Sequence, residues 1–352
     1  MAWETPKTDW TPESGVRAAD LNRIEGNLQY LLDNPDGAKR PATVIVGTTA
    51  MGHLKGAVDY LCDGTADHEE ISAAIASLPS SGGKIIILNG SYNLNASIVV
   101  NKPNVTIEGC GYNTIIGSSA ATIVDITSAR CTVNGLYLAG QNVTNQMGVN
   151  IATAATRCTV TNCVISDVDT GVKLSSTYAN IYNNRFDYCN VYGVDMRGSY
   201  GSVKNNFFSE CLISVRAYYI SGVIITGNTI HASGAANGYG INAINTDTAA
   251  ISNNIVRSAY VGIEVYSYPA GSTFCTVDNN LVIGCNNGIQ LSNAHDNAIS
   301  CNLVQNEAYT TTEYSLYVYG SNKNLINCNR LIGKTYTEVM STGNGYTGNL
   351  TS

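Results

Sequence analysis

The chain has 352 residues, 13% of them charged, and a net charge of −7. It has no basic run to neutralise phosphates, which argues against a nucleic-acid partner, and no apolar stretch near the length of a membrane span. With 34 glycines and 22 tyrosines against 7 prolines and 2 tryptophans, the composition is that of a β-rich protein of short strands and many turns.

Residues 1–40 form a first unit. Trp3 and Trp10 precede an apolar stripe at Leu21, Ile24, Leu28 and Leu31, the spacing of a short amphipathic helix. Such a helix is marginal alone and needs a surface to pack on. Asn34-Pro35-Asp36-Gly37 ends it, and Lys39-Arg40-Pro41 continues a linker. The first seven residues lack the basic start and apolar core of a signal peptide, so export by the general secretory route is not expected.

Residues 41–104 read as the entry to a larger body. Asp67 and Glu70 have the spacing of a capping box and open a helix that runs to Leu78. A turn at 79–83, a buried strand at 84–88, a turn at Asn89-Gly90 and a strand at 91–94 follow. The helix is expected to cover the open end of the first coil.

From 105 to 332 one short phrase recurs. Aligning it places Cys110, Leu136, Cys163, Asn184, Asn206, Asn228, Asn254, Asn280, Asn302 and Asn329 at one equivalent position, 21 to 27 residues apart. A fixed period of this size with short strands predicts a solenoid of about ten coils. The Asn column is expected to be structural: asparagine tolerates a left-handed backbone, and amides stacked coil over coil can bond in a ladder. A glycine before the second strand recurs at Gly148, Gly171, Gly193, Gly240, Gly262 and Gly288, predicting either positive φ or close backbone approach. One outward column runs Asn150, Lys173, Asp195, Arg216, Asn242, Glu264, Gln290, Tyr317, and reads as a register-fixing ladder on an exposed face. The 11 cysteines follow the repeat and are expected to be free thiols filling small holes, with no disulfide and no metal-ligand spacing. Residues 333–352 read as a polar cap or tail.

The run from Asp63 to Ile71, with Ser81-Gly82-Gly83-Lys84-Ile85, Asn89-Gly90-Ser91-Tyr92 and Val105-Thr106-Ile107-Glu108-Gly109, resembles the entry signature of the pectate-lyase-like superfamily of right-handed parallel β-helices. The resemblance covers residues 58–332, and it alone implies the handedness. That superfamily includes pectate lyases, polygalacturonases, and phage tailspikes and fibres. Residues 3–10 with 20–27 resemble the short virion-attachment segment of structural proteins from phages of Gram-positive bacteria. Together the resemblances imply an all-β virion structural protein: a tailspike, tail fibre, head fibre or decoration protein. It would be a homotrimer held to other virion proteins through residues 1–33, with Trp3, Trp10, Leu21, Ile24, Leu28 and Leu31 as docking anchors.

The competing class is a polysaccharide-degrading enzyme of the same fold. Asn245-Thr246-Asp247 matches one polygalacturonase motif by letters, but the Asp-Asp, Gly-His-Gly and Arg-Ile-Lys motifs are absent. No catalytic residue, cofactor or metal is assigned. Asp167, Asp187 and Glu210, near equivalent places on three successive coils, are the acids the competing reading would use. Glycan binding is expected on loops that exceed the minimal coil, at 137–148, 229–240, 266–274 and 303–315. These bring or adjoin His231, Tyr239, Tyr260, Tyr266 and Tyr268, whose flat rings and polar tips suit sugar stacking.

Overall fold

The computed structural model describes residues 21–25, 27–28, 42–141, 143–233, 237–305, 314–333, 335–337 and 341–351. The body is a parallel β-solenoid of about 11 turns. Its strands assort into a 14-stranded and a 21-stranded sheet, and every named pairing is parallel. Each coil has three faces. The first is a three-residue strand such as Thr159–Thr161 in the 14-stranded sheet. The second and third are the two halves of a bent strand such as Val164–Leu174, joined through a register shift after Val168.

Three apolar columns fill the interior, one from each face. Val133, Val160, Ile181 and Val203 stack on the first face and Ile251, Val277 and Ile299 continue the column. Ile165, Phe186, Phe208 and Ile230 stack on the second, the two phenyl rings parallel with centroids 4.8 Å apart. Val149, Val172, Val194 and Val215 stack on the third. All are buried. Because parallel strands repeat in register at about 4.8 Å, a side chain that fits one coil fits the next, and the period in the sequence becomes a column in space.

The asparagine column is a closed ladder. Asn184, Asn206, Asn228, Asn254, Asn280 and Asn302 are each buried. From Asn206 on, each side-chain oxygen accepts both the backbone N–H and the amide of the asparagine one coil before it, as Asn280 Oδ1 does for Asn254 at 2.9 and 3.0 Å; Asn184 Oδ1 accepts the Cys163 backbone N–H at 2.9 Å. Each amide also donates to a carbonyl of the first face, Asn254 to Ile225 at 2.9 Å. The left-handed conformation expected of this column belongs instead to the residue before it: Asn162, Asn183, Asn205, Asn253 and Asn279 have φ between 54° and 58°. The Asn-Asn pair thus divides the work, the first residue turning the corner and the second closing it.

The recurrent glycines have no positive φ; close approach explains them. A Cβ on Gly262 would lie 2.5 Å from the Gly288 carbonyl oxygen, and one on Gly171 2.5 Å from that of Gly193.

Three expectations are corrected. The helix His68–Ser77 forms and ends at Leu78, but Asp67 makes no side-chain cap. Its backbone is already helical, and its carboxylate accepts from Gly64 N at 2.8 Å and Asn93 N at 2.7 Å, tying the loop to the strand Gly90–Leu94. Cys110, Cys301 and Cys328 are exposed rather than buried, the last two at left-handed corners; the other cysteines are buried and all are free. The C-terminal segment adds a further coil, since Gly345–Thr347 pairs with Leu325–Asn327 and Asn349 extends the ladder from Asn329. A second ladder, Asn297 to Asn324 to Asn344, runs along another corner there.

Candidate functional site

The third face carries the outward column in the predicted order. Asn150, Lys173, Asp195, Arg216, Asn242, Glu264, Gln290 and Tyr317 are consecutive cross-strand partners. The expectation of an exposed ladder fails on burial: Asp195, Asn242 and Glu264 are all buried. Tyr192 and Tyr239 hold the equivalent place three residues before Asp195 and Asn242 in their strands, and the Tyr192 ring lies against Arg216 of the column.

Two clusters result. In the upper one Asp195 receives Arg216 Nε at 2.8 Å and Arg197 Nε at 2.9 Å. Arg216 is the more enclosed partner, its side chain 11% exposed against 43% for Arg197. Its guanidinium lies 3.8 Å from the Tyr192 ring centre and 5.0 Å from that of Tyr218, and it donates to the Tyr192 hydroxyl.

In the lower cluster Glu264 is 7% exposed. Its Oε2 accepts from Asn242 Nδ2 at 2.5 Å and its Oε1 from Gln290 Nε2 at 2.9 Å. Gln290 is fixed in turn by Asn287 Nδ2 at 2.8 Å and Ser292 Oγ at 3.0 Å. Burial raises the Glu264 carboxyl to about 7, against the two amide bonds, which favour the charged form. Glu264 lines a cleft of about 300 Å³ with Tyr266, Gln290, Ser292, Asn293, Tyr317 and Tyr319. The Tyr317 and Tyr319 rings are parallel, 6.4 Å apart. A carboxyl near neutrality, two amides and three phenols form a site rich in both donors and acceptors.

The predicted binding residues divide between places. Tyr266 lines this cleft. Tyr239 and Tyr260 lie close enough for Glu264 and Tyr260 to raise the Tyr239 phenol, after burial, to about 12. Tyr268 lines a separate cleft with Asn245, Asp247 and Pro269, where Asn245 is held by the Tyr268 backbone. Asn245-Thr246-Asp247 therefore has a local structural use: Thr246 is buried and donates to the Ala217 carbonyl. His231 stands on the second face, 5.7 Å from the Phe207 ring. Sequence reasoning missed Tyr317 and Tyr319 as partners of Tyr266; the column placed Tyr317 beside Gln290, but only the fold shows the shared cleft.

The three acids of the competing reading do not share one position. Asp187 is in register with Ser166 and Ser209, and its Oδ2 is taken by Arg185 Nε at 2.5 Å. Asp167 and Glu210 stand at equivalent left-handed corners two coils apart, with Tyr188 between them. On the third face, Glu264 and Asp195 are three coils apart, about 14 Å at the usual strand spacing, beyond the ~5–10 Å that two-carboxylate hydrolysis requires. No carboxylate contributes to the Glu264 shift.

Cys62, Asp67 and Glu70 place ligand-type atoms within 4.8 Å of one another. They do not fit a metal: both Asp67 oxygens accept backbone N–H groups, and burial with nearby carboxylates holds the Cys62 thiol protonated. Among the described residues, no helix is long and apolar enough to cross a membrane.

Residues 147–304 match the family model for a right handed beta helix region. No curated protein matches by sequence. Similar solved structures include ORF18 of Geobacillus virus E2, at 17% identity and TM-score 0.54, covering 99% of this chain and 67% of that one. The Dettilon tailspike protein is 14% identical at TM-score 0.53, covering 81% and 66%. The A-module of a mannuronan C-5 epimerase from Azotobacter vinelandii is 14% identical at TM-score 0.59, covering 87% and 97%. At these identities the likeness is one of fold. The protein has the right-handed parallel β-helix fold that the family model describes over residues 147–304 and that these solved structures share.

Proposed function

We propose that this chain is a phage virion structural protein whose β-helix binds a host-surface glycan through the third face. The observation that carries the binding half is the Glu264 cleft, where a buried carboxyl, the Gln290 amide bonded to it, the Asn293 amide and three tyrosines converge. Amides and carboxyls pair with sugar hydroxyls, and phenol rings stack on sugar faces. Among the described residues, the cleft lacks the second carboxyl that two-carboxylate glycoside hydrolysis uses. The virion half is supported by two similar structures that come from viruses, one of which spans 99% of this chain. It is also supported by the N-terminal helix, where Leu21, Ile24 and Leu28 are each more than half exposed. Trp3, Trp10 and Leu31 complete that docking set and lie outside the described residues. A homotrimer projecting from the particle is part of the same reading.

Removing residues 1–40 tests attachment: the truncated protein should stay folded and soluble yet be absent from virions imaged with an antibody to the solenoid. Recovery of labelled virions with the truncated protein would refute attachment through this segment. Incubation with capsular and cell-wall polysaccharides tests the alternative, an enzyme of this fold. Retention of intact polymer is expected, and efficient depolymerisation would favour the enzyme.

A further inference from the structure

We infer that the corner between the first and second faces holds a second saccharide site, selective for a neutral, hydroxyl-rich chain. The site is an open groove of about 570 Å³ that runs along the solenoid axis, outside the asparagine ladder. Asn183, Asn205, Arg185, Phe207, Thr229 and Tyr112 supply its accessible surface.

The observation behind this is a contrast within one column. Asn162, Asn183, Asn205, Asn253 and Asn279 turn the same corner with the same left-handed backbone. Outside the middle of the groove their exposed amides are tied to one another or to a neighbour. Asn162 Nδ2 donates to Asn134 Oδ1 at 2.9 Å, and Asn279 Nδ2 to Asn253 Oδ1 at 2.6 Å. Asn183 and Asn205, at its centre, are exposed, and their amides bond to no described residue. A ladder that closes itself above and below is left open where an arginine and two aromatic rings stand beside it.

The chemistry selects the ligand. Each amide both donates and accepts, which matches hydroxyl groups. Arg185 is paired with Asp187 at 2.5 Å, so the groove carries no net charge from this pair and gives no preference for an acidic sugar. Arg185 and His231 lie against Phe207, at 4.7 and 5.7 Å from its ring centre, so Phe207 serves as a wall. Tyr112 is 63% exposed and meets Tyr137 only edge-on, which leaves a ring face for a sugar. An extended peptide does not fit this chemistry: the backbone N–H groups of Asn183 and Asn205 already donate to the Lys204 and Thr226 carbonyls, at 3.2 and 3.0 Å, so no free edge awaits another strand. The amides recur at the coil spacing of about 4.8 Å, commensurate with the repeat of an extended pyranose chain.

The test uses the full-length protein with chitotetraose, cellotetraose and maltotetraose, read by saturation-transfer NMR and calorimetric titration. The informative variant is Asn183→Gly with Asn205→Gly. Glycine is at home at φ of 58° and 54°, and Gly227 already turns the same corner one coil on. At least one neutral tetrasaccharide should bind, and the double variant should weaken it at least tenfold with an unchanged melting temperature. Tyr112→Ala should weaken it as well. The loss caused by the glycine variant should be the same on a Tyr266→Ala, Tyr317→Ala background, which separates the groove from the Glu264 cleft and lets either fail alone. Binding by none of the three sugars, or equal binding by wild type and the glycine variant, overturns the inference.

Discussion

Two columns of polar side chains climb this solenoid, and they differ in a way that separates architecture from function. The asparagine ladder repeats one residue from Asn184 to Asn329, buried in every coil, with each oxygen satisfied by the coil before it and each amide by the next coil and the first face. The third-face column changes residue at every step, from Lys173 to Asp195, Arg216, Asn242, Glu264, Gln290 and Tyr317. Stacking alone requires only that neighbours fit; it does not require variety. A position that repeats serves the coil, whereas one that varies while remaining partly buried and hydrogen-bonded is free to serve something outside it.

The comparison predicts unequal costs. Asn254→Leu removes the acceptor for the Asn228 backbone N–H and amide and the donor to the Ile225 carbonyl, all buried. Orphaned buried groups of this kind cost ~1–3 kcal/mol each, so the variant should lose about 3 kcal/mol or more in denaturant unfolding. A loss below that of an exposed substitution would remove the ladder from its structural role. On the third face, Arg216→Ala should cost about 3 kcal/mol, because it strips a buried carboxylate of its inner partner. Arg197→Ala at the half-exposed partner of the same Asp195 should cost under about 1 kcal/mol. Equal losses would mean that burial does not set the balance in this cluster.

Glu264 sharpens the contrast by its sign. Its folded pKa, about 7, lies above the ordinary 4.5, so the native state holds the proton through that window and stability falls as pH rises across it. Glu264→Gln should match wild type near pH 4 and be more stable by about 1–3 kcal/mol near pH 8. A variant less stable than wild type at pH 8 would mean that the bonds from Asn242 and Gln290 outweigh burial. A cleft group whose replacement stabilises the fold is one that the fold itself does not require.

The coils, the ladder and the order of the third-face column were legible in the chain because parallel in-register stacking turns sequence period directly into spatial alignment. Burial was not legible. Asp195 and Glu264 look like surface charges in a linear reading, and only the tyrosines and amides of neighbouring coils enclose them. The cleft was half visible: Tyr266 was found through its lengthened loop, while Tyr317 and Tyr319 lie two coils away along the axis and one residue to either side of the inward Val318. The open amides of Asn183 and Asn205 were invisible for the opposite reason, because they share their sequence phrase with asparagines that are bonded.

The central claim is that the third face binds glycan at the Glu264 cleft. The direct measurement is binding of full-length wild type and the Tyr266→Ala, Tyr317→Ala variant to an array of bacterial capsular and cell-wall glycans, with melting temperature and oligomer mass recorded in parallel. The account predicts a glycan bound by wild type and at least tenfold more weakly by the variant, with fold and assembly unchanged. Binding that survives both substitutions, or an oligomer that dissociates when the tyrosines are removed, would contradict it and make this face an interface or a plain wall of the solenoid.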